Sequence, residues 1–281
     1  MVQLFSIGGF NIHLFGITIA IGMIAGMSVM LREGKRKGLN QDKIMDLGLY
    51  TIIAGVIGAR LNYILAFNFS YYLEHPRAIF MLQEGGLSIQ GALIGGALFA
   101  FWYMKKHKIP MWQTADAFAP AIILGQAIGR VGCDVFGIPM SRAWFWGVEV
   151  GAQLLHPAQI YEAILNYILF LVLWNKRKSI KYDGQIFMMY LIGFSINRFV
   201  IEFFRTNPMV AGPISIAHVY SVLIIMATLV VMNWLKKKQQ KTQSTVENPT
   251  VHDGKIEWTA NFIIGAAMIV SVMFYYWIHS L

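Results

Sequence analysis

The sequence predicts an all-α integral membrane protein of about eight transmembrane helices, with its N-terminus outside the cell. Three observations lead there. The 281 residues are 57% hydrophobic and only 13% Asp, Glu, Lys and Arg, about half the charge usual in soluble domains. Apolar stretches near the length that crosses a bilayer recur along most of the chain. Lys and Arg crowd into alternate loops, as they do on the cytoplasmic side of a membrane.

Eight spans follow in order: 11–31, 44–66, 86–104, 114–133, 157–174, 184–204, 216–235 and 258–280. No positive residue precedes the first and no small-residue cleavage site follows it, so it reads as a retained helix. The second carries Arg60. The third is opened by Gln90, and the fourth ends at Arg130. The fifth begins with Pro157 in its first turn, directly after His156. Arg198 and Glu202 lie in the sixth, and His218 opens the seventh.

The eighth follows a polar segment with no apolar period, which reads as a cytoplasmic linker. The expected organisation is a seven-helix core over 1–238, a linker over 239–256 and an additional helix over 257–281. The pairs Gly22/Gly26, Gly91/Gly95 and Gly125/Gly129 have the spacing that lets membrane helices approach closely. Trp112, Trp144, Trp146, Trp174, Trp234 and Trp258 fall near span ends, as headgroup-level anchors do.

Orientation comes from the loops. Arg32, Lys35, Arg36, Lys37 and Lys43 occupy the first. Lys105, Lys106 and Lys108 occupy the third, and Lys176, Arg177, Lys178 and Lys181 the fifth. Lys236, Lys237, Lys238, Lys241 and Lys255 occupy the seventh. The intervening loops hold only Arg77, Arg142 and Arg205. The net charge of +9 therefore reads as topology and contact with anionic membrane lipids, with no nucleic-acid partner. Cys133 is the only cysteine, which excludes an internal disulfide and a cysteine-rich metal site.

Arginine within a span costs about 2.5 to 3.5 kcal/mol on insertion scales, so Arg60, Arg130 and Arg198 need a reason. One is an internal ion pair: Arg198 and Glu202 are four apart on one helix face, and Arg205 extends that face by a turn. Position favours a second. Arg60 lies about 16 residues into an outward-running helix, about 24 Å along it. Arg130, Arg198, Glu202, Gln90, His156 and His218 also fall toward the outer ends of their helices. Guanidiniums outnumbering carboxylates at headgroup depth make an anion site, and their planar fork suits phosphate. The phosphate expected there belongs to a phospholipid, with Glu202 orienting an arginine or handling a proton.

Five short stretches in order now identify a resemblance: GARLNYIL from Gly58, GGLSIQGALIGG from Gly85, GQAIGRVGC from Gly125, HPAQIYE from His156 and NRFVIEFFR from Asn197. The chain resembles bacterial prolipoprotein diacylglyceryl transferases over roughly Phe15 to Trp234. The resemblance implies transfer of the diacylglyceryl group of phosphatidylglycerol to the lipobox cysteine of a prolipoprotein signal-peptide segment. A thioether forms and glycerol phosphate leaves, at the outer leaflet of the bacterial cytoplasmic membrane, with no metal or cofactor. It also implies working parts for Arg130, Arg198 and Glu202, and matches Arg60, His156, Gln159, Tyr161 and Glu162 to family positions expected to bind substrate. For HPAQIYE a plain helix start is the alternative.

The chain departs from the family pattern at several positions. Gln90 stands where a histidine is usual, and Cys133 where an asparagine is usual. Phe136 and Ile138 replace an asparagine and a carboxylate, and Phe194 a frequent tyrosine. His218 stands where glutamine is expected, which suggests that His218 supplies the imidazole absent at Gln90. A headgroup-level histidine without a catalytic part is the alternative. Two other functions remain open: a divergent paralogue with another acceptor for an anionic phospholipid, and a lipid transporter without covalent chemistry. Transport is disfavoured because polar residues gather toward one side and no internal repeat is evident.

Overall fold

The computed structural model describes residues 3–7, 10–67, 69–81, 85–207, 209–212, 214–243 and 257–279. All eight expected spans are helical. In chain order the helices are α1 (Leu14–Arg36), α2 (Gln41–Phe67), the short α3 (Phe69–Glu74), α4 (Ile89–Lys106), α5 (Met111–Val131), α6 (Ala158–Lys176), α7 (Gln185–Glu202), α8 (Ile216–Gln243) and α9 (Trp258–His279). Three antiparallel hairpins interrupt them: β1 (Gln3–Ile7) with β2 (Phe10–His13), β3 (Val148–Val150) with β4 (Gln153–Leu155), and β5 (Met209–Ala211) with β6 (Ile214–Ser215).

Two boundaries shift. Residues 11–13 are strand, so the first helix starts at Leu14. Helix α8 continues through residues 239–243, where the linker was expected to begin; the rest of that segment, 244–256, lies outside the described residues.

The protein is a multi-pass membrane protein. Helices α1, α2, α6, α8 and α9 meet the length and hydropathy of a bilayer span. Helices α4, α5 and α7 carry the polar residues Gln90, Arg130, Arg198 and Glu202. Large apolar side chains such as Leu65, Leu93, Val230, Phe262 and Met273 are exposed along the helices. Hydrocarbon is the solvent that suits such faces.

The chain forms two compact units. Leu31–Thr114 make one, built around α2 and α4. These helices touch backbone to backbone: a Cβ on Gly91 would collide with the carbonyl oxygen of Gly58, and one on Gly58 would lie 2.5 Å from that of Gly91. Residues up to Met30 and from Ala115 onward make the other. There α1 meets α5, where a Cβ on Gly22 would lie 2.7 Å from the Gly125 carbonyl oxygen. The core of this unit joins Ile123 and Ala127 of α5, Tyr167, Phe170 and Leu173 of α6, and Ile186 and Tyr190 of α7. Helix α9 packs on it through Ala260, Ile264 and Met268. The start of α7 is fixed by Asp116 of α5, whose carboxylate accepts the Gly184 and Phe187 amides at 2.9 and 3.0 Å. A negative charge there also suits the positive end of the helix dipole.

Candidate functional site

The larger unit brings three arginines and two carboxylates together at helix ends. Arg130, in the last turn of α5, reaches Glu162 in the first turns of α6, with Nη2 3.0 Å from Oε1. Arg198 and Glu202, one turn apart at the end of α7, pair at 2.7 Å. Helix α7 stops at Glu202, and a turn closed by the Arg205 amide on the Glu202 carbonyl follows. That turn sends Arg205 away from the α7 face and toward Glu162, with Nη1 3.9 Å from Oε2. The carboxylates are buried, Glu162 at 3% and Glu202 at 1% exposure. Arg130, Arg198 and Arg205 keep 27%, 22% and 17%. Three guanidiniums facing two carboxylates leave an excess positive charge with partial access from outside.

The two carboxylates are held differently. Glu202 accepts hydrogen bonds from Asn207 Nδ2 at 2.6 Å, Ser215 Oγ at 2.7 Å and Arg198. Both of its oxygens are engaged, which suits orienting Arg198. Glu162 Oε2 is buried and has no hydrogen bond among the described residues. Arg205 Nε is a buried donor without an acceptor among the described residues. Burial first, and then the like charges of Arg198 and Arg130, push the Arg205 pKa below the ordinary arginine value.

Backbone pairing holds these segments together. The Gly137 amide donates to the His156 carbonyl, Ile138 to Phe204, and His156 to Ile138, at 2.8, 2.9 and 3.1 Å. The chain after Arg130, the HPAQIYE segment and the turn after α7 are thus laced side by side. His156 Nδ1 lies 3.2 Å from Tyr161 Oη, and both rings pack edge-on against Phe204. Burial lowers the His156 pKa, which favours the neutral ring. Gln159, behind the charged cluster, gives Nε2 to Tyr275 Oη of α9 at 2.5 Å.

Arg60 and Gln90 belong to the smaller unit. The Arg60 guanidinium is wrapped by carbonyl oxygens: Ala78 at 2.5 Å, Gly85 at 2.6 Å, and Ile79 and Gly86 at 3.0 Å. Its donors hold the loop between α3 and α4. Gln90 is exposed and accepts from Ser88 Oγ at 2.9 Å. His218 is buried between Phe199 and Phe203, and its Nδ1 accepts the Ser215 amide at 3.0 Å. Its Nε2 is buried with no hydrogen bond among the described residues. With its lone-pair nitrogen occupied by backbone, His218 is better placed to shape the Ser215–Glu202 corner than to accept a proton.

Residues 2–234 match the family model described as prolipoprotein diacylglyceryl transferase. The chain belongs to that family. It is 36% identical over 242 residues to the phosphatidylglycerol-prolipoprotein diacylglyceryl transferase of Clostridioides difficile, covering 85% of this chain and 97% of that one. Enzymes of the same name from Halalkalibacterium halodurans and Trichormus variabilis are 35% and 33% identical, over 84% and 88% of this chain and 87% and 93% of theirs. Helix α9 lies beyond the residues that the family model matches.

Asn207, Ser215 and Tyr275 are contacts that sequence reading left out, and Arg205 is one that it placed on the α7 face. The tail of the EFFR motif was the available signal for Arg205, but continuing the helical face by a turn aimed it at Glu202.

Proposed function

We propose that this family member transfers the diacylglyceryl group of phosphatidylglycerol to the cysteine of a prolipoprotein, at the outer side of the bacterial cytoplasmic membrane. The observation that carries the reading is the gathering of Arg130, Arg198 and Arg205 at the ends of apolar helices, with Arg205 Nε unspent. Buried donors in native proteins find acceptors, and a phosphate oxygen is the acceptor that three guanidiniums fit.

The acceptor thiol loses its proton and attacks the glycerol carbon that bears the phosphate ester. A C–S bond forms as the C–O bond breaks, and the electron pair leaves with the phosphate as glycerol phosphate. The thiolate is the reactive form. The arginines stabilise the charge that grows on the leaving phosphate, an electrostatic contribution strongest in a site that excludes water. Glu202 keeps Arg198 in place, whereas Glu162 Oε2 is the site carboxylate oxygen with capacity left to take a proton. Arg130, Arg198, Glu162, His156 and Tyr161 thus keep working parts, Gln159 supports them, and Arg60 and Gln90 shape the smaller unit.

A second reading rests on Gln90, Cys133, Phe136, Ile138 and Phe194, where the family pattern has other chemistry: the same phospholipid, but a different acceptor. The purified protein in phosphatidylglycerol vesicles, incubated with a lipobox peptide, decides between them. Glycerol phosphate release with a lipid-modified peptide cysteine supports transfer to prolipoproteins. Release without peptide modification supports the second reading, and lipid flux without a covalent product overturns both.

A further inference from the structure

Helix α9 stands outside the family match, yet it is fastened along its whole length to the helix that carries Glu162. Glu257, just before it, bridges Arg177 and Lys178 at 2.8 and 2.5 Å. Asn261 exchanges amide hydrogen bonds with Asn175 at 3.1 and 3.2 Å. Ser271 Oγ meets Tyr167 Oη at 2.9 Å, and Tyr275 Oη meets Gln159. In a membrane, where apolar packing alone gives little drive for association, such polar contacts select a partner helix.

The last turns of α9 do more than dock. Within Tyr275–His279 the helix touches three segments that build the site. Tyr275, fully buried, holds Gln159 of HPAQIYE, one turn before Glu162. Tyr276 Oη donates to the Trp146 carbonyl at 2.7 Å, in the loop that leads to β3. His279 Nε2 lies 3.8 Å from Asp134, four residues after Arg130. Gln159 is itself 2% exposed, and its Oε1 has no partner. Tyr275 is therefore the one group among the described residues that anchors its amide.

We infer that Tyr275 is a positioning residue for the transferase site: by anchoring Gln159 it fixes the first turn of α6 and so the direction in which Glu162 meets Arg130 and Arg205. The inference rests on the function proposed above, but its structural half is tested without turnover. Tyr275→Phe keeps the ring and removes the hydroxyl. Ser271→Ala removes the α6–α9 hydrogen bond one turn earlier, away from the site, and serves as the control.

Each variant, as the full chain in phosphatidylglycerol nanodiscs, is assayed for glycerol phosphate release against a lipobox peptide and for amide hydrogen exchange over residues 156–163. Tyr275→Phe should lower kcat roughly tenfold, the effect of one lost positioning hydrogen bond. KM for phosphatidylglycerol should stay within about twofold, and exchange in that segment should rise several-fold. Ser271→Ala should leave kcat and exchange at 156–163 unchanged. Wild-type exchange at 156–163 in Tyr275→Phe, or an equal loss of kcat in Ser271→Ala, overturns the inference. If the wild-type protein releases no glycerol phosphate, the proposed function fails, and exchange alone decides whether Tyr275 anchors the turn.

Discussion

Removing the Glu202 carboxylate is the sharpest test of how the arginines are held. At 1% exposure it pairs with Arg198 and accepts from Asn207 and Ser215. Glu202→Ala strands a guanidinium, an amide and a hydroxyl at once. Breaking a buried ion pair from one side costs about 3 to 5 kcal/mol; Arg198 retains 22% exposure, so water offsets part of the loss and the lower end, about 3 kcal/mol, is expected. That corresponds to a fall in Tm of roughly 6 to 12 °C for a chain of this size. Glu202→Gln keeps an oxygen for Asn207 and Ser215 and loses only the charge facing Arg198. Thermal unfolding in nanodiscs, followed by intrinsic fluorescence, should rank wild type above Gln above Ala. Turnover in the Gln variant should be reduced about tenfold but measurable. A Glu202→Gln protein that is as stable as wild type yet wholly inactive would refute the orienting role and make Glu202 a proton carrier.

Other outcomes follow from the same geometry. Arg205→Ala should raise KM for phosphatidylglycerol by roughly ten- to a hundredfold, the worth of one charge-assisted hydrogen bond at about 1.5 to 3 kcal/mol, as measured by initial rates over lipid mole fraction. Arg205→Lys should recover only part, because an ammonium lacks the guanidinium fork. Gly91→Ala drives a methyl into the Gly58 carbonyl and should cost about 1 to 3 kcal/mol, read as a lower unfolding temperature. For His156 the folded pKa lies below the unfolded 6.5, so the folded protein resists protonation. Stability should be level above pH 6.5 and fall as the pH drops below it, and His156→Gln should flatten that limb. Glu257 is held at about 2 against 4.5 when unfolded by Lys178 and Arg177. Its contribution should be complete above pH 4.5 and disappear as the pH falls toward 2, a loss that Glu257→Gln should abolish.

The helices were legible because hydropathy at bilayer scale is a strong and local signal: each of the eight spans overlaps its helix, with α1 and α8 running on past the expected ends. The hairpins were not, since strands of two to five residues carry too little alternation to show. The partners of Arg60 were hidden for a similar reason. Its burial was predicted correctly as a problem needing partners, but those partners are main-chain carbonyls of an irregular loop, which no side-chain pattern encodes. Arg130, Arg198 and Glu202 were singled out through the cost of placing charge in apolar helices. The part of Arg205 was hidden because it depends on α7 ending at Glu202, and helix ends are the least certain feature of any sequence reading. The contact of the Ser215 amide with His218 Nδ1 was equally invisible in sequence.

The lacing of Gly137, Ile138, His156 and Phe204 through their peptide groups bears on how such a protein can evolve. Peptide amides and carbonyls are common to nearly every residue type, so this lacing asks little of side-chain chemistry, except at Gly137, where any Cβ would collide with the Phe204 carbonyl oxygen. Cys133, Phe136 and Ile138 could replace the customary polar groups while the strut beside them stayed in register. Divergence at those positions therefore changes the side chains beside the arginines without dismantling the frame that carries them.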